Sequence, residues 1–246
     1  MKAKDLDRQF DKGEDISRHL NLTHARRVNR GQRRVNVSSQ IEKADVQNAL
    51  AESVWDFGNN VLYRLCEEYP EHNSPTLIVA KIWLIGRSYA AAIERRRNAT
   101  GSSDDFYERT VAPTVLKSKL GDWLARLPDR LENPWRDLRS VVAIHKRLTD
   151  VFSGITGLAK RSLASKYLHF HRPDLFFIYD ARAARAISKV TPSIRRVPEI
   201  KCREADTEYL MFVRRCQWLH EDVLERFRVN LTPRQVDKIL LRVARK

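Results

Sequence analysis

The sequence predicts an all-α protein, and three observations carry that expectation. Apolar residues recur at spacings of three and four along most of the chain, as one-sided helices require. Strand-like alternation never persists beyond a few residues. Helix start and stop signals recur between the periodic stretches, and no segment repeats another, so roughly nine helices in one domain are expected after an N-terminal arm.

Residues 1–40 form the expected arm. Asp5 to Leu22 is polar, with a helix start at Gly13-Glu14-Asp15-Ile16-Ser17. Arg26-Arg27, Arg30 and Arg33-Arg34 then make a basic segment, either an arm along a DNA backbone or a solvated tail. Residues 41–246 form the helical domain. Val46, Leu50, Val54, Phe57, Val61, Leu62 and Leu65 predict one amphipathic helix that ends before Pro70. Leu77 to Arg97 predicts a long helix whose apolar first half is buried. Asp104 to Leu127 predicts one or two helices interrupted at Pro113, which lacks a backbone donor. Pro134 starts a helix running through Val141, Val142, Ile144 and Leu148 to Phe152. A helix from Ala181 to about Val190 follows, then a loop from Thr191 to Arg203 carrying Arg195 and Arg196. Tyr209 to Arg226 is amphipathic, and the last helix opens on Thr232 as N-cap, Pro233, and Gln235 at the capping-box position.

Charge narrows the partner. Lys and Arg number 46 against 31 Asp and Glu, a formal +15, and such an excess points to a polyanion. A hydrophobic fraction of 42% is enough for a packed core and argues against wholesale disorder. No run approaches the ~20 apolar residues of a membrane span, so no membrane partner is expected. Cys66, Cys202 and Cys216 have no CxxC pair or regular spacing, which argues against disulfides and zinc. The charged N-terminus without an apolar run argues for a reduced, cytoplasmic location. His72, His145 and His220 are far apart without metal spacing, and no metal or cofactor is expected.

Chemistry concentrates between Gly154 and Asp180. Leu148 to Lys166 reads as helix, tight turn, helix, with Gly154 and Gly157 bracketing the turn. The unpaired N–H groups at the second helix's start suit a phosphate of any base sequence. Lys160 and Lys166 supply amines, and Asp180 supplies a carboxylate that can also cap the helix after it.

Ile155-Thr156-Gly157-Leu158-Ala159-Lys160-Arg161 resembles the helix-hairpin-helix turn of DNA glycosylases, written L-P-G-V-G-x-K. Ser162 to Phe170, then Pro173, then Ile178-Tyr179-Asp180-Ala181-Arg182, is similar to the 8-oxoguanine-glycosylase-fold branch, with its A-S-K-x-L-H-F and I-Y-D-S-R-like blocks. Leu231 to Lys238 fits the same branch; the close match spans about Val141 to Val190, with looser agreement from Trp55 onward. The resemblance implies a monomeric enzyme that binds double-stranded DNA, flips a modified base out and excises it, leaving an abasic site. Asp180 matches the family's essential aspartate, which stabilises the cationic sugar or orients its attacker. The family's catalytic lysine falls, by an ungapped count, on Arg161, which stays protonated and cannot form a Schiff base. Lys166 is therefore paired with Asp180 as the expected catalytic set, and Lys160 is the second candidate amine. Gly154, Gly157, Arg161, Ser165, Arg182, Arg195 and Arg196 are the expected DNA contacts.

Trp55, Asn59, Arg87, Tyr89 and His169 are candidates for the base pocket. Each has a structural reading beside that one. Trp55 and Asn59 suit a core helix with polar edges, Arg87 an ion pair with Asp56 or Glu94, and His169 a satisfied core position. Phe10 to Ser17 and Arg33 to Val37 resemble the start of bacterial ribbon-helix-helix antitoxins of the BrnA kind, over under forty residues. That leader points to defence genes, and so to modified bases of foreign phage DNA as one substrate expectation. The alternative is a non-catalytic DNA-binding regulator with a degenerate hairpin, which Arg161 favours and Lys166 with Asp180 disfavours.

Overall fold

The computed structural model describes residues 40–95, 103–128, 134–192 and 204–245. The chain divides into two units, 1–38 and 39–246, and the expected arm, Arg195, Arg196 and Cys202 lie outside the described residues. Among the described residues the second unit is all-helical, with no strand.

Its helices are α1 (Lys43–Leu50), α2 (Asp56–Glu68), α3 (Pro75–Ser88), α4 (Ser103–Phe106), α5 (Ala112–Lys117) and α6 (Leu120–Ala125). The long α7 (Pro134–Thr156) leads into α8 (Arg161–His171), α9 (Ala181–Val190), α10 (Thr207–Phe227) and α11 (Pro233–Val243). The side chains sort into two apolar cores. One is built from α2 through α6, α8 and the α7 residues Val141, Ile144, Leu148 and Phe152. The other gathers α1, α9, α10 and α11 around Leu138 and Val142 of α7. Between α8 and α9 the chain turns over 172–175 and then runs without helix from Phe176 to Asp180. Phe176 enters the first core and Phe177 the second. Both α7 and this segment therefore tie the two cores together.

Three elements depart from expectation. The helix expected from Ala44 to Leu65 is broken: α1 ends at Leu50 and α2 starts at Asp56. Ser53 N–H donates to Asp56 Oδ2 at 2.8 Å, and Asp56 N–H donates to Ser53 O at 3.0 Å, a local start that outcompetes continuation. The break leaves Val54 91%, Phe57 81% and Trp55 72% exposed, although their spacing read as core. The helix expected to reach Arg97 stops at Ser88. Ala91 N–H bonds Gly86 O and Ala90 N–H bonds Arg87 O, the reciprocal pair of a Schellman ending, with Ala90 at φ 50°. Glycine normally marks that position, and alanine concealed it. At Pro113 the helical path widens into a π-turn over Tyr107–Val111 and continues as α5, a way of accommodating the missing N–H without a break.

The buried half of α3 is as expected around Ile78, Ile82 and Ile85, yet it also encloses Lys81 at zero exposure. The Lys81 ammonium donates to Tyr69 O and Glu71 O, both at 2.8 Å, which compensates part of its desolvation. Residues Ala181–Val190 and the capping box of Thr232 with Gln235 stand as read.

Candidate active site

The hairpin forms at the junction of α7 and α8. Gly157, at φ 68°, supplies the left-handed residue that ends α7, and its N–H bonds Ser153 O at 2.8 Å. Thr156 Oγ1 accepts from Leu158 N–H at 3.2 Å and tightens the turn. Gly154 does not bracket this turn: it sits in the last turn of α7, exposed, where a Cβ would meet nothing within 4 Å. Its expected turn role is corrected accordingly. Lys160 stands at the N-cap of α8 without a side-chain cap, so the helix's first N–H groups are left without one.

Four elements converge beyond the turn. Lys166 of α8 is almost fully buried, its amine 3.9 Å from Asp180 Oδ2 at the start of α9. The same amine donates to Ser162 Oγ at 2.8 Å and Tyr89 O at 3.3 Å, and lies 5.7 Å from the Tyr89 ring centre. Burial pushes this amine below the ordinary lysine value, against the pull of the Asp180 and Asp237 carboxylates. The two oxygens of Asp180 divide their work. Oδ1 accepts from the N–H groups of Arg182 and Ala183 at 2.9 and 2.8 Å, capping α9, and Oδ2 faces Lys166.

Asp237 of α11 completes the cluster and was missed in the sequence. It is 3% exposed, pairs with Arg234 at 2.5 Å through Oδ2, and leaves Oδ1 without a hydrogen-bond partner among the described residues. Burial pushes its carboxyl up to about 6; Arg234 opposes this and Asp180 adds to it. The signal was available: Asp237 falls on the apolar face of α11 with Pro233, Val236 and Leu240, where a solvated charge does not belong.

The remaining expected residues scatter. Lys160 Nζ donates to Ala92 O at 2.9 Å, so it serves the segment after α3. Arg161 is held by Asp206 Oδ1 at 2.7 Å and Glu208 Oε2 at 2.8 Å at the start of α10. Ser165 is corrected as a DNA contact: it is fully buried, its Oγ accepting from Tyr179 N–H at 3.0 Å. That bond fastens the segment before α9 to α8 one residue before Asp180, a positioning role. Arg182 is exposed on the first turn of α9, and Arg185 and Lys189 continue its basic face one and two turns on.

Of the expected pocket, Asn59 and Tyr89 do meet: Tyr89 O–H donates to Asn59 Oδ1 at 2.7 Å. Asn59 is buried with its Nδ2 unpaired, and Trp55 stands four residues before it in the open. Arg87 is drawn off to Glu94 at 2.5 Å, the ion-pair alternative. His169 is fully buried with both nitrogens engaged, by Tyr63 O–H at 2.7 Å and Phe176 O at 2.8 Å, which makes it a core residue. Burial lowers it to about 4, so it is neutral. Cys66 and Cys216 are free and buried, and burial pushes the Cys66 thiol up to about 12, leaving neither as a nucleophile. Among the described residues no group of three His, Cys, Asp or Glu side chains could hold a metal, and no helix is long and apolar enough to cross a membrane.

No family model, curated protein or solved structure matches the chain.

Proposed function

We propose that the protein is a DNA N-glycosylase of the helix-hairpin-helix kind, working where Lys166 and Asp180 meet. The observation that carries this reading is the 3.9 Å approach of the Lys166 amine to Asp180 Oδ2, just after a hairpin turn. Phosphate binding would fall to the uncapped start of α8 and to Arg182, Arg185 and Lys189 on α9. Trp55 and Phe57, exposed and adjacent to Asn59, would stack against the opened duplex.

In the reaction the bond from the sugar C1′ to the base breaks, and the base departs with the electron pair and takes up a proton. Asp180, fixed by two backbone N–H groups with the Lys166 amine 3.9 Å away, stabilises the positive charge that grows on the sugar. Water then bonds to C1′ and gives up its proton, leaving an abasic site. The burial of Lys166 supports this hydrolytic route, because its amine is barely exposed and already bonded to Ser162 Oγ and Tyr89 O. That same burial favours the second reading, a DNA-binding regulator without catalysis.

Duplexes carrying oxidised purines, hypermodified cytosines or ordinary bases, incubated with the protein, separate these readings through release of free base and abasic sites. Asp180→Asn keeps the cap of α9, since asparagine caps as well, and is expected to lower release at least ~100-fold. Borohydride trapping of a covalent complex, abolished in Lys166→Gln but not in Lys160→Gln, would reveal an amine route. No base released from any duplex by the intact protein refutes the enzyme.

A further inference from the structure

The geometry points to a second ligand site, remote from Asp180, for a small neutral nitrogen heterocycle recognised by His72 and His171. A cavity of about 680 Å³ opens between the loop after α2, the corner from α5 to α6 and the end of α8, lined among others by Pro70, His72, Leu116, Gly121 and His171. That size is ordinary for a small-molecule site. Lys166, Asp180 and Asp237 are not among its walls.

Two of the side chains that wall it carry orphaned, buried ring nitrogens. His72 is 8% exposed, and its Nε2 meets Tyr167 O–H at 2.9 Å. Its Nδ1 is buried without a hydrogen-bond partner among the described residues. The His171 ring lies 4.9 Å from the His72 ring, tilted by 39°, and its Nε2 is likewise buried and unpartnered. Buried polar atoms are nearly always paired, so two orphans against one cavity call for an occupant. Gly121 lies beside Nδ1. A Cβ at that position would meet only this atom within 4 Å, at 3.9 Å, so the glycine leaves the space before it open.

The state of the rings selects the ligand chemistry. Burial, helped by the Lys81 ammonium, holds His72 at about 3, and burial holds His171 well below its usual value, with His72 and Lys81 adding to the effect. Both rings are therefore neutral at physiological pH and attract no counter-ion. A neutral imidazole offers one N–H and one lone pair, so the complement is an uncharged group with adjacent donor and acceptor. Pro70, Leu116 and Leu124 add apolar wall, which suits a flat heterocycle of nucleobase type. The described residues hold no third ligand that would turn the pair into a metal site.

The test uses adenine, cytosine and uracil as free bases, added to the full-length protein and followed through the side-chain nitrogen resonances of its histidines. At least one base is expected to shift His72 Nδ1 and His171 Nε2 while His145 and His169 stay unmoved. His72→Leu is expected to weaken that binding at least tenfold. Gly121→Leu, which occupies the space beside His72 Nδ1 and keeps the His72 side chain that bonds Tyr167, is expected to do the same if the first variant fails to fold. Asp180→Asn is expected to bind as the intact protein does, so failure of the glycosylase reading leaves this site standing. Silence of both histidines toward all three bases overturns the proposal, as does equal binding by Gly121→Leu.

Discussion

On the resemblance to the hairpin glycosylases Arg161 takes the place of a lysine, and its own contacts say what replacing it should do. Its guanidinium bonds Asp206, whose side chain is 13% exposed, at 2.7 Å, and the more open Glu208 at 2.8 Å. A charge-assisted bond to a half-buried partner is worth about 1.5–3 kcal/mol, and the exposed one adds up to ~1. Arg161→Gln should therefore cost about 3 kcal/mol, or roughly 6–12 °C in Tm for a domain of this size. Asp206→Asn keeps the cap on Tyr209 N–H, so a double-mutant cycle isolates the pair, with an expected coupling of ~2 kcal/mol. Burial raises the Asp206 carboxyl, but Arg161 and the Tyr209 N–H outweigh it and leave it below its ordinary value. A lowered folded value means the coupling is complete above the unfolded pKa of ~3.9 and is lost as pH falls through the folded one. Urea unfolding of the four proteins at neutral and acid pH measures this directly. On DNA, the salt dependence of binding should keep its slope in Arg161→Gln, whereas a lost phosphate contact would flatten it by ~0.9. A Tm unchanged within ~2 °C together with a flattened slope would refute the structural role and put Arg161 on the DNA.

Two further outcomes follow from strained or frustrated positions. Ala90 holds φ 50°, which costs an L-residue roughly 1–2 kcal/mol, and glycine gives back part of that gain in chain entropy. Ala90→Gly should raise stability by ~0.5–1 kcal/mol in urea unfolding, and a loss of stability would contradict the assigned ending of α3. Asp237 has its folded value raised to about 6, so its contribution is fully present below the unfolded value and fades as pH climbs from about 4 to about 6. Relative to Asp237→Asn, the unaltered protein should lose up to about 3 kcal/mol across that window, and parallel pH profiles would exclude a buried, proton-holding Asp237.

The all-α class and most helix starts were legible because their signals are local. Thr232, Pro233 and Gln235 need only one another to open α11, and Asp180 needs only the next three residues to cap α9. What stayed hidden was decided by partners far along the chain. The periodicity through Val54 and Phe57 was real, but among the described residues that face stays exposed, and Lys238 holds the loop by Ala51 O and Asp56 instead. Ser165 read as a surface contact because nothing local reveals that Tyr179 will lie against it. Asp237 shows the opposite case, a visible breach of an apolar face that marked the site.

The rotation along α8 explains why the carboxylate meets Lys166 and not Arg161. Residues on a helix advance about 100° each, so five residues carry a side chain roughly 140° past a full turn. Arg161 thus turns toward α10 and the second core, and Lys166 turns toward the gap where α3, α9 and α11 end or begin. Nothing reachable by rotamer change alone exchanges them, since Arg161 is tied to Asp206 and His145 Nε2 donates to its carbonyl at 3.2 Å. On the proposed reading the site then works with a fixed ammonium beside Asp180, four residues along the helix from the Ser162 hydroxyl that also holds it. A cation so placed stays within 3.9 Å of Asp180 Oδ2 and leaves that carboxylate its two backbone donors. Lys166→Arg, which keeps the charge but cannot form an imine, should therefore retain measurable base release while abolishing any borohydride-trapped complex. Loss of both together would mean that the amine itself attacks.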